Sequence, residues 1–145
     1  MSVRIKTLRD YTNDYYNSIF IQKFAKEVEK LFYQFDSKII LDKSPLNFIW
    51  VGFIKLLFPQ SKIIHCKRNL RDVGLSIYRN FFDGGHLPWS YNEETLVRFI
   101  KAYEDLMSFW NNKLPNQIYN CDYENLVNNQ LDETKKIINY CNLDW

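Results

Sequence analysis

The chain has 145 residues, and its 19 Lys and Arg against 17 Asp and Glu leave a formal net charge of +2. That length suits one domain able to bury a core. The near balance of charge, with basic residues dispersed, argues against a nucleic-acid binder even though 17% of the residues are aromatic; a core rich in Phe and Tyr is the plainer account. The most apolar run, Phe48 to Phe58, contains Lys55 and is too short to span a bilayer, so no membrane role is expected. Met1 to Asp14 is polar and reads as no signal peptide. Cys66, Cys121 and Cys141 show neither metal spacing nor an even framework; two of them lie in predicted strands and read as small buried side chains, in a reducing, cytoplasmic setting with no metal.

From Tyr15 to Phe35 apolar residues recur at helical spacing (Ile19, Phe20, Phe24, Val28, Leu31, Phe32, Phe35), predicting an amphipathic helix. Lys38 to Leu41 is a short strand candidate, broken by Asp42-Lys43-Ser44-Pro45. Leu46 to Phe58 reads as a largely buried helix stopped by Pro59. A second strand, Lys62 to Cys66, leads through a tight turn into a helix from Leu70 to Phe81. Phe82 to Pro88 is rich in turn residues and includes Gly84, Gly85 and His86. Asn92 is placed to cap a long helix from Glu93 to about Lys113, ended by Leu114-Pro115-Asn116. Gln117 to Asn120 is a third strand, Asp122 to Val127 a helical turn, and Leu131 to Cys141 a last helix.

Strands alternating with helices predict an α/β fold, a parallel sheet with helices on its faces. Such sheets bind ligands beyond the carboxyl ends of their strands. Asp42-Lys43, Lys67-Arg68 and Asp122-Tyr123 would all fall at those ends. The most informative stretch is Cys66 to Ser76. A helix N-terminus offers free N–H groups and the positive end of a dipole, and Arg68 before it with Ser76 within it would add charge and a hydroxyl. This combination points to a bound phosphate. His65 inside a strand reads as a packed histidine, whereas His86 in the turn-rich stretch could approach an acceptor. Helix packing or capping accounts for Glu104 and Glu124.

At these residues the chain resembles the sulfotransferases that use 3′-phosphoadenosine 5′-phosphosulfate (PAPS), in particular the bacterial tyrosylprotein-sulfotransferase-like branch, often fused to tetratricopeptide repeats. The resemblance runs through Asp42-Lys43-Ser44-Pro45-Leu46-Asn47-Phe48 and Leu57 to Arg68, then Arg71-Asp72-Val73, Leu75-Ser76 and Tyr78. It continues in Tyr103 to Met107, Trp110, Tyr123-Glu124-Asn125-Leu126-Val127 and Leu143-Asp144-Trp145. It implies a P-loop-NTPase-like three-layer fold. It also implies PAPS as sulfuryl donor and a hydroxyl or amine acceptor, protein tyrosine among the candidates. By resemblance Arg68 and Ser76 hold the 3′-phosphate, Tyr123 contacts the adenine, and Lys43 sits near the sulfuryl group, where an ammonium would neutralise charge developing on the leaving oxygen.

The chain also departs from that pattern. A Gly-rich loop of the Pro-x-Ser-Gly-Thr-Thr type, which cradles the 5′-phosphosulfate after the family's first strand, is missing. So is the histidine that cytosolic members carry in their Lys-x-His-x-Pro element, and the branch's catalytic glutamate would lie upstream. The expectation is therefore an incomplete sulfotransferase domain over 1–145, with an N-terminal helix in 1–37 and a core with the 3′-phosphate half-site in 38–145. Two readings stay open. One is a sulfotransferase or a portion of one. The other is an inactive remnant or split subunit that binds the 3′-phosphoadenosine half-site or a partner chain supplying the missing N-terminal part.

Overall fold

The computed structural model describes residues 15–32, 39–82 and 87–145. The sequence readings at Met1–Asp14, at Phe35 and Lys38, and at Gly84, Gly85 and His86 lie outside the described residues. The chain divides into two units, Met1–Ser61 and Lys62–Trp145.

In the first unit, helix α1 spans Tyr15–Phe32. Its Phe24 ring meets Phe53 with centroids 6.0 Å apart. Two expectations fail in this unit. Ile39 to Leu41 form no strand and Leu41 is 84% exposed. An apolar β-branched run resembles a buried strand, but a strand exists only through pairing, and this segment joins no ladder. The expected buried helix from Leu46 to Phe58 is instead a 3-10 turn, Asn47–Trp50, followed by helix α2, Val51–Leu57. Pro45 precedes i-to-i+3 bonds from Asn47 N to Ser44 O and from Ile49 N to Leu46 O, both 3.1 Å, which wind the entry tighter than an α-helix. Only Val51 of this segment is buried, and Trp50 is 57% exposed. Lys55, the charge within the apolar run, donates to Pro59 O at 2.6 Å and Ser61 O at 2.9 Å, tying off the chain just past α2.

The second unit holds the sheet. Strands β1, Ile63–Lys67, and β2, Ile118–Asp122, pair in parallel with Ile63 opposite Ile118 and Lys67 opposite Asp122. The connection between them carries helix α3 (Leu70–Arg79), a 3-10 turn at Pro88–Tyr91 and the long helix α4 (Glu93–Lys113). Helices α5 (Tyr123–Asn128) and α6 (Gln130–Tyr140) follow β2. Alternation along the strands gives each helix a face. His65 and Asn120 point to α4, where Tyr103 and Asn111 bond to them. Tyr119 points to α6, where Tyr140 lies 5.2 Å away between ring centroids and donates its hydroxyl to Gln117 O at 2.8 Å. This α4–sheet–α6 sandwich is the α/β arrangement expected. Its buried core comprises Leu96, Met107, Trp110, Ile118 and Cys121. Cys66, expected to be buried, is exposed near the strand's end.

Local chemistry sets the helix starts. Asn69 caps α3 by accepting from Arg71 N at 2.9 Å, Asn92 caps α4 from Thr95 N at 3.1 Å, and Asp122 caps α5 from Asn125 N at 3.2 Å. Helix α3 stops at Arg79, short of the expected Phe81, because Asn80 turns to an extended conformation. Beyond it, the Tyr91 hydroxyl donates to Phe82 O at 2.6 Å and accepts from Phe82 N at 2.8 Å. Where α3 crosses α4, Gly74 is buried and a Cβ there would lie 3.1 Å from Ile100 Cδ1.

His65 is held from both sides. Its Nδ1 lies 2.8 Å from Asn120 Oδ1 and its Nε2 lies 2.5 Å from the Tyr103 hydroxyl. An amide oxygen only accepts, so Nδ1 carries the proton and Nε2 accepts from Tyr103. Burial lowers the His65 pKa from its ordinary 6.5, against the Asn120 bond, which raises it, and with nearby Lys67, which lowers it further. Burial also raises the Tyr103 pKa, with Glu104 and Cys66 adding to it, so both groups stay neutral at neutral pH.

The unfolded chain binds a proton at His65 more readily than the folded one. The folded state is therefore favoured above pH 6.5 and loses that advantage as the pH falls through the lowered folded value. Urea unfolding at about pH 7 and about pH 5 should show a stability loss that His65→Gln reduces. At the α3–α4 crossing, Gly74→Leu should cost about 1–3 kcal/mol in the same assay, while Gly74→Ala, with Ile100 able to give, should stay within about 1 kcal/mol.

Candidate functional site

Parallel strands deliver their following segments to one edge of a sheet. Here Lys67 and Asp122 are the last paired residues, so Arg68 and Tyr123 emerge side by side. The Arg68 guanidinium lies 5.0 Å from the Tyr123 ring centroid, a cation–π contact at an exposed site. One residue further on each side, Asn69 N donates to Glu124 Oε1 at 3.0 Å. This bond joins the turn after β1 to the first turn of α5, where Glu124 also suits the helix dipole.

Helix α3, with Arg68 before it and Asn80 after it, lines an open groove of about 520 Å³ through Arg68, Asp72, Leu75, Ser76, Arg79 and Asn80. Residues 72, 75, 76 and 79 follow the i, i+3, i+4, i+7 spacing of a single helix flank. At the far end, Asn80 Nδ2 donates to Ser76 O at 2.6 Å and fixes the last turn against the groove. A hydroxyl, an amide side chain and two guanidiniums against one carboxylate make a donor set for an anion of phosphate type.

The structure thus brings together three of the residues singled out from sequence. Arg68 and Ser76 share the groove, and Tyr123 lies under Arg68. The fourth, Lys43, belongs to the first unit, on the exposed stretch from Ile39 to Ser44, where its neighbour Asp42 accepts from Asn47 Nδ2 at 3.0 Å. Asp42-Lys43 does not stand at a strand end, because Ile39 to Leu41 form no strand. The Asn69 amide is engaged by Glu124, and the Arg71 amide by the Asn69 side chain. Of the other donors, the Ser76 hydroxyl and the Arg79 guanidinium lie along the α3 flank.

Sequence reasoning gave no binding role to Arg79 and Asp72, and it read Glu124 as a packing or capping residue. The first two were visible as the helical stripe through Ser76. Glu124 reaches across a separation of 55 residues, for which the sequence held no signal. Among the described residues, no three His, Cys, Asp or Glu side chains gather as a metal-binding group, and no helix is long and apolar enough to cross a membrane.

Comparison with known proteins agrees with this chemistry. The family model described as "Sulfotransferase family" matches residues 5–145. An uncharacterized protein of Aquifex aeolicus (strain VF5) is 33% identical over 108 residues, which is 73% of this chain and 14% of that protein. The chain therefore spans about one-seventh of the length of that relative. No solved structure matches.

Removing the Glu124 carboxylate leaves the Asn69 amide without its partner and uncouples the two strand ends. Glu124→Ala should cost about 1–2 kcal/mol in stability. Amide hydrogen exchange should accelerate at Asn69 and Leu70 more than at β1, and equal acceleration throughout would show that the bond does not hold this turn.

Proposed function

The chain belongs to the sulfotransferase family, and on that premise we propose that it takes part in sulfuryl transfer from PAPS to a hydroxyl or amine, with the α3 groove receiving the donor's 3′-phosphate. The observation that carries the proposal is the shared groove of Arg68 and Ser76, with Tyr123 beneath the Arg68 guanidinium.

The donor supplies an activated sulfuryl group; the residues of this chain bind and orient it. Arg68 offers a planar fork to two phosphate oxygens, and the Ser76 hydroxyl donates to a third. Tyr123, 45% exposed, keeps ring surface for an adenine. By the same resemblance Lys43 supplies an ammonium that would offset negative charge on the leaving oxygen. Catalysis in this scheme is positioning and charge neutralisation. The acceptor class includes protein tyrosine, and the reading extends to a cytoplasmic protein of the tyrosylprotein-like branch.

A second reading is a half-site module completed by another polypeptide segment. It is favoured by the sheet, whose two strands have no further strand on their outer edges among the described residues, an arrangement open to strand addition. A sulfuryl-transfer assay separates the two: turnover by the chain alone supports the enzyme, and nucleotide binding without turnover supports the module.

The direct test is calorimetric titration of 3′-phosphoadenosine 5′-phosphate. It should bind the folded chain at least about tenfold more tightly than adenosine 5′-phosphate, and Arg68→Ala should weaken it by about 1.5–3 kcal/mol. Equal affinity for the two nucleotides would remove the phosphate assignment.

A further inference from the structure

Cys66 and Cys121 are direct partners across the parallel ladder, one rung before Lys67 and Asp122. Their neighbours His65 and Asn120 point to α4. By alternation both cysteines lie on the opposite face, the side on which Tyr119 meets α6. Both are free thiols, Cys66 exposed and Cys121 buried. We propose that this pair is an oxidative modification site, at which a hydroperoxide converts the two thiols into a reversible disulfide joining β1 to β2. The disulfide forms regardless of what the α3 groove binds.

Neighbouring strands stand about 4.8 Å apart, within the span of about 4.4 to about 6.8 Å that the Cα atoms of a disulfide keep. The unequal exposure divides the work between the two sulfurs. A peroxide reaches Cys66 at the surface, whereas Cys121 is 3% exposed and shielded from it. Burial pushes the Cys121 thiol up, and the neighbouring Cys66 sulfur is the next cause, ahead of Glu133 and Asp122. Cys66 is therefore the sulfur that attacks the peroxide. An S–O bond forms, the O–O bond breaks, and the thiol proton leaves on the departing oxygen. The Cys121 sulfur then attacks Cys66: the S–S bond forms, the S–O bond breaks, and the hydroxyl departs as water with the Cys121 proton. The two sulfurs together lose two electrons, and the peroxide gains them. Cys141 stands apart, because it follows Tyr140, whose hydroxyl is bonded to Gln117 O at the opposite end of β2. Closing the bridge draws the two Cβ atoms to about 3.8 Å, nearer than the ladder itself holds them. A disulfide strained in this way is readily reduced, which makes the modification reversible.

The test treats the folded, reduced chain, freed of reductant, with a stoichiometric amount of hydrogen peroxide. The chain is then unfolded and alkylated, and its peptides are mapped by mass. Two of the three thiols should disappear, the intact mass should fall by two hydrogens, and a peptide pair should join Cys66 to Cys121 while Cys141 is alkylated. Dithiothreitol should restore all three thiols. Folded Cys66→Ser should lose thiols at least about tenfold more slowly than wild type, since the exposed sulfur is the one that meets the oxidant. Cys121→Ala should stop at the sulfenic acid of Cys66, trapped by dimedone. If the buried substitution does not fold, wild type and the exposed Cys66→Ser carry the test. Oxygen added to wild-type Cys66 without a link, a link between Cys66 residues of two chains, a Cys66–Cys121 link that forms only in urea, or no loss of thiols overturns the assignment.

Discussion

Lys67 opposite Asp122 is the last rung of a parallel ladder, and the candidate site follows from it. Parallel pairing sends both chains out over the same edge. It therefore fixes Arg68 beside Tyr123 before any side-chain bond is counted. The turns that follow do different work. After β1 the chain enters α3 and presents its flank; after β2 it enters α5, and Glu124 reaches back to the Asn69 amide. Backbone pairing sets the approach, and a single charge-assisted hydrogen bond holds the two turns together beyond the sheet.

The strengths of these contacts bear on how the groove would accept a ligand. A cation–π contact at an exposed site contributes about 0.5–1 kcal/mol. A hydrogen bond to a charged group contributes about 1.5–3 kcal/mol. Tyr123 is thus a resting place that Arg68 leaves readily when phosphate oxygens are offered. The Glu124–Asn69 bond belongs to the stronger class, so the turn stays in place while the guanidinium reorients. A rigid turn bearing a loosely parked arginine is a suitable arrangement for capturing an anion without rebuilding the backbone.

Much of the second unit was legible in the sequence, because its signals are local. The apolar Lys62–Cys66 run, the Asn69 and Asn92 caps and the periodicity of 93–113 each specify an element within a few residues. Arg68 and Ser76 stood out for the same reason, as parts of one strand–turn–helix. Reading failed where the answer is non-local. Ile39 to Leu41 have strand composition but join no ladder, and Cys66 lies in a strand yet is exposed at its end. Phe48 to Phe58 is apolar enough for a buried helix, yet the turn after Pro45 splits it and leaves Trp50 largely in solvent. Glu124 has the composition of an ordinary first-turn acid, and only the fold shows that it reaches the other strand's turn.

The polar chain through His65 has a consequence for alignment. Side chains alternate faces along a strand, so a slip of β1 against β2 by two residues would keep every side chain on its own face and leave the apolar pattern nearly content. It would not leave His65 content: its neighbour would become Ile118 or Asp122 in place of Asn120. Asn120 in turn would lose the imidazole while its amide still donates to Asn111 Oδ1. In the first case the half-buried imidazole N–H would face an aliphatic chain, and in the second the carboxylate that caps α5 would be drawn inward. The network works as a vernier between the two strands. Hydrophobic burial chooses the faces, and one imidazole chooses among the alignments burial cannot tell apart, so that Arg68 meets Tyr123 and not the residue two places along.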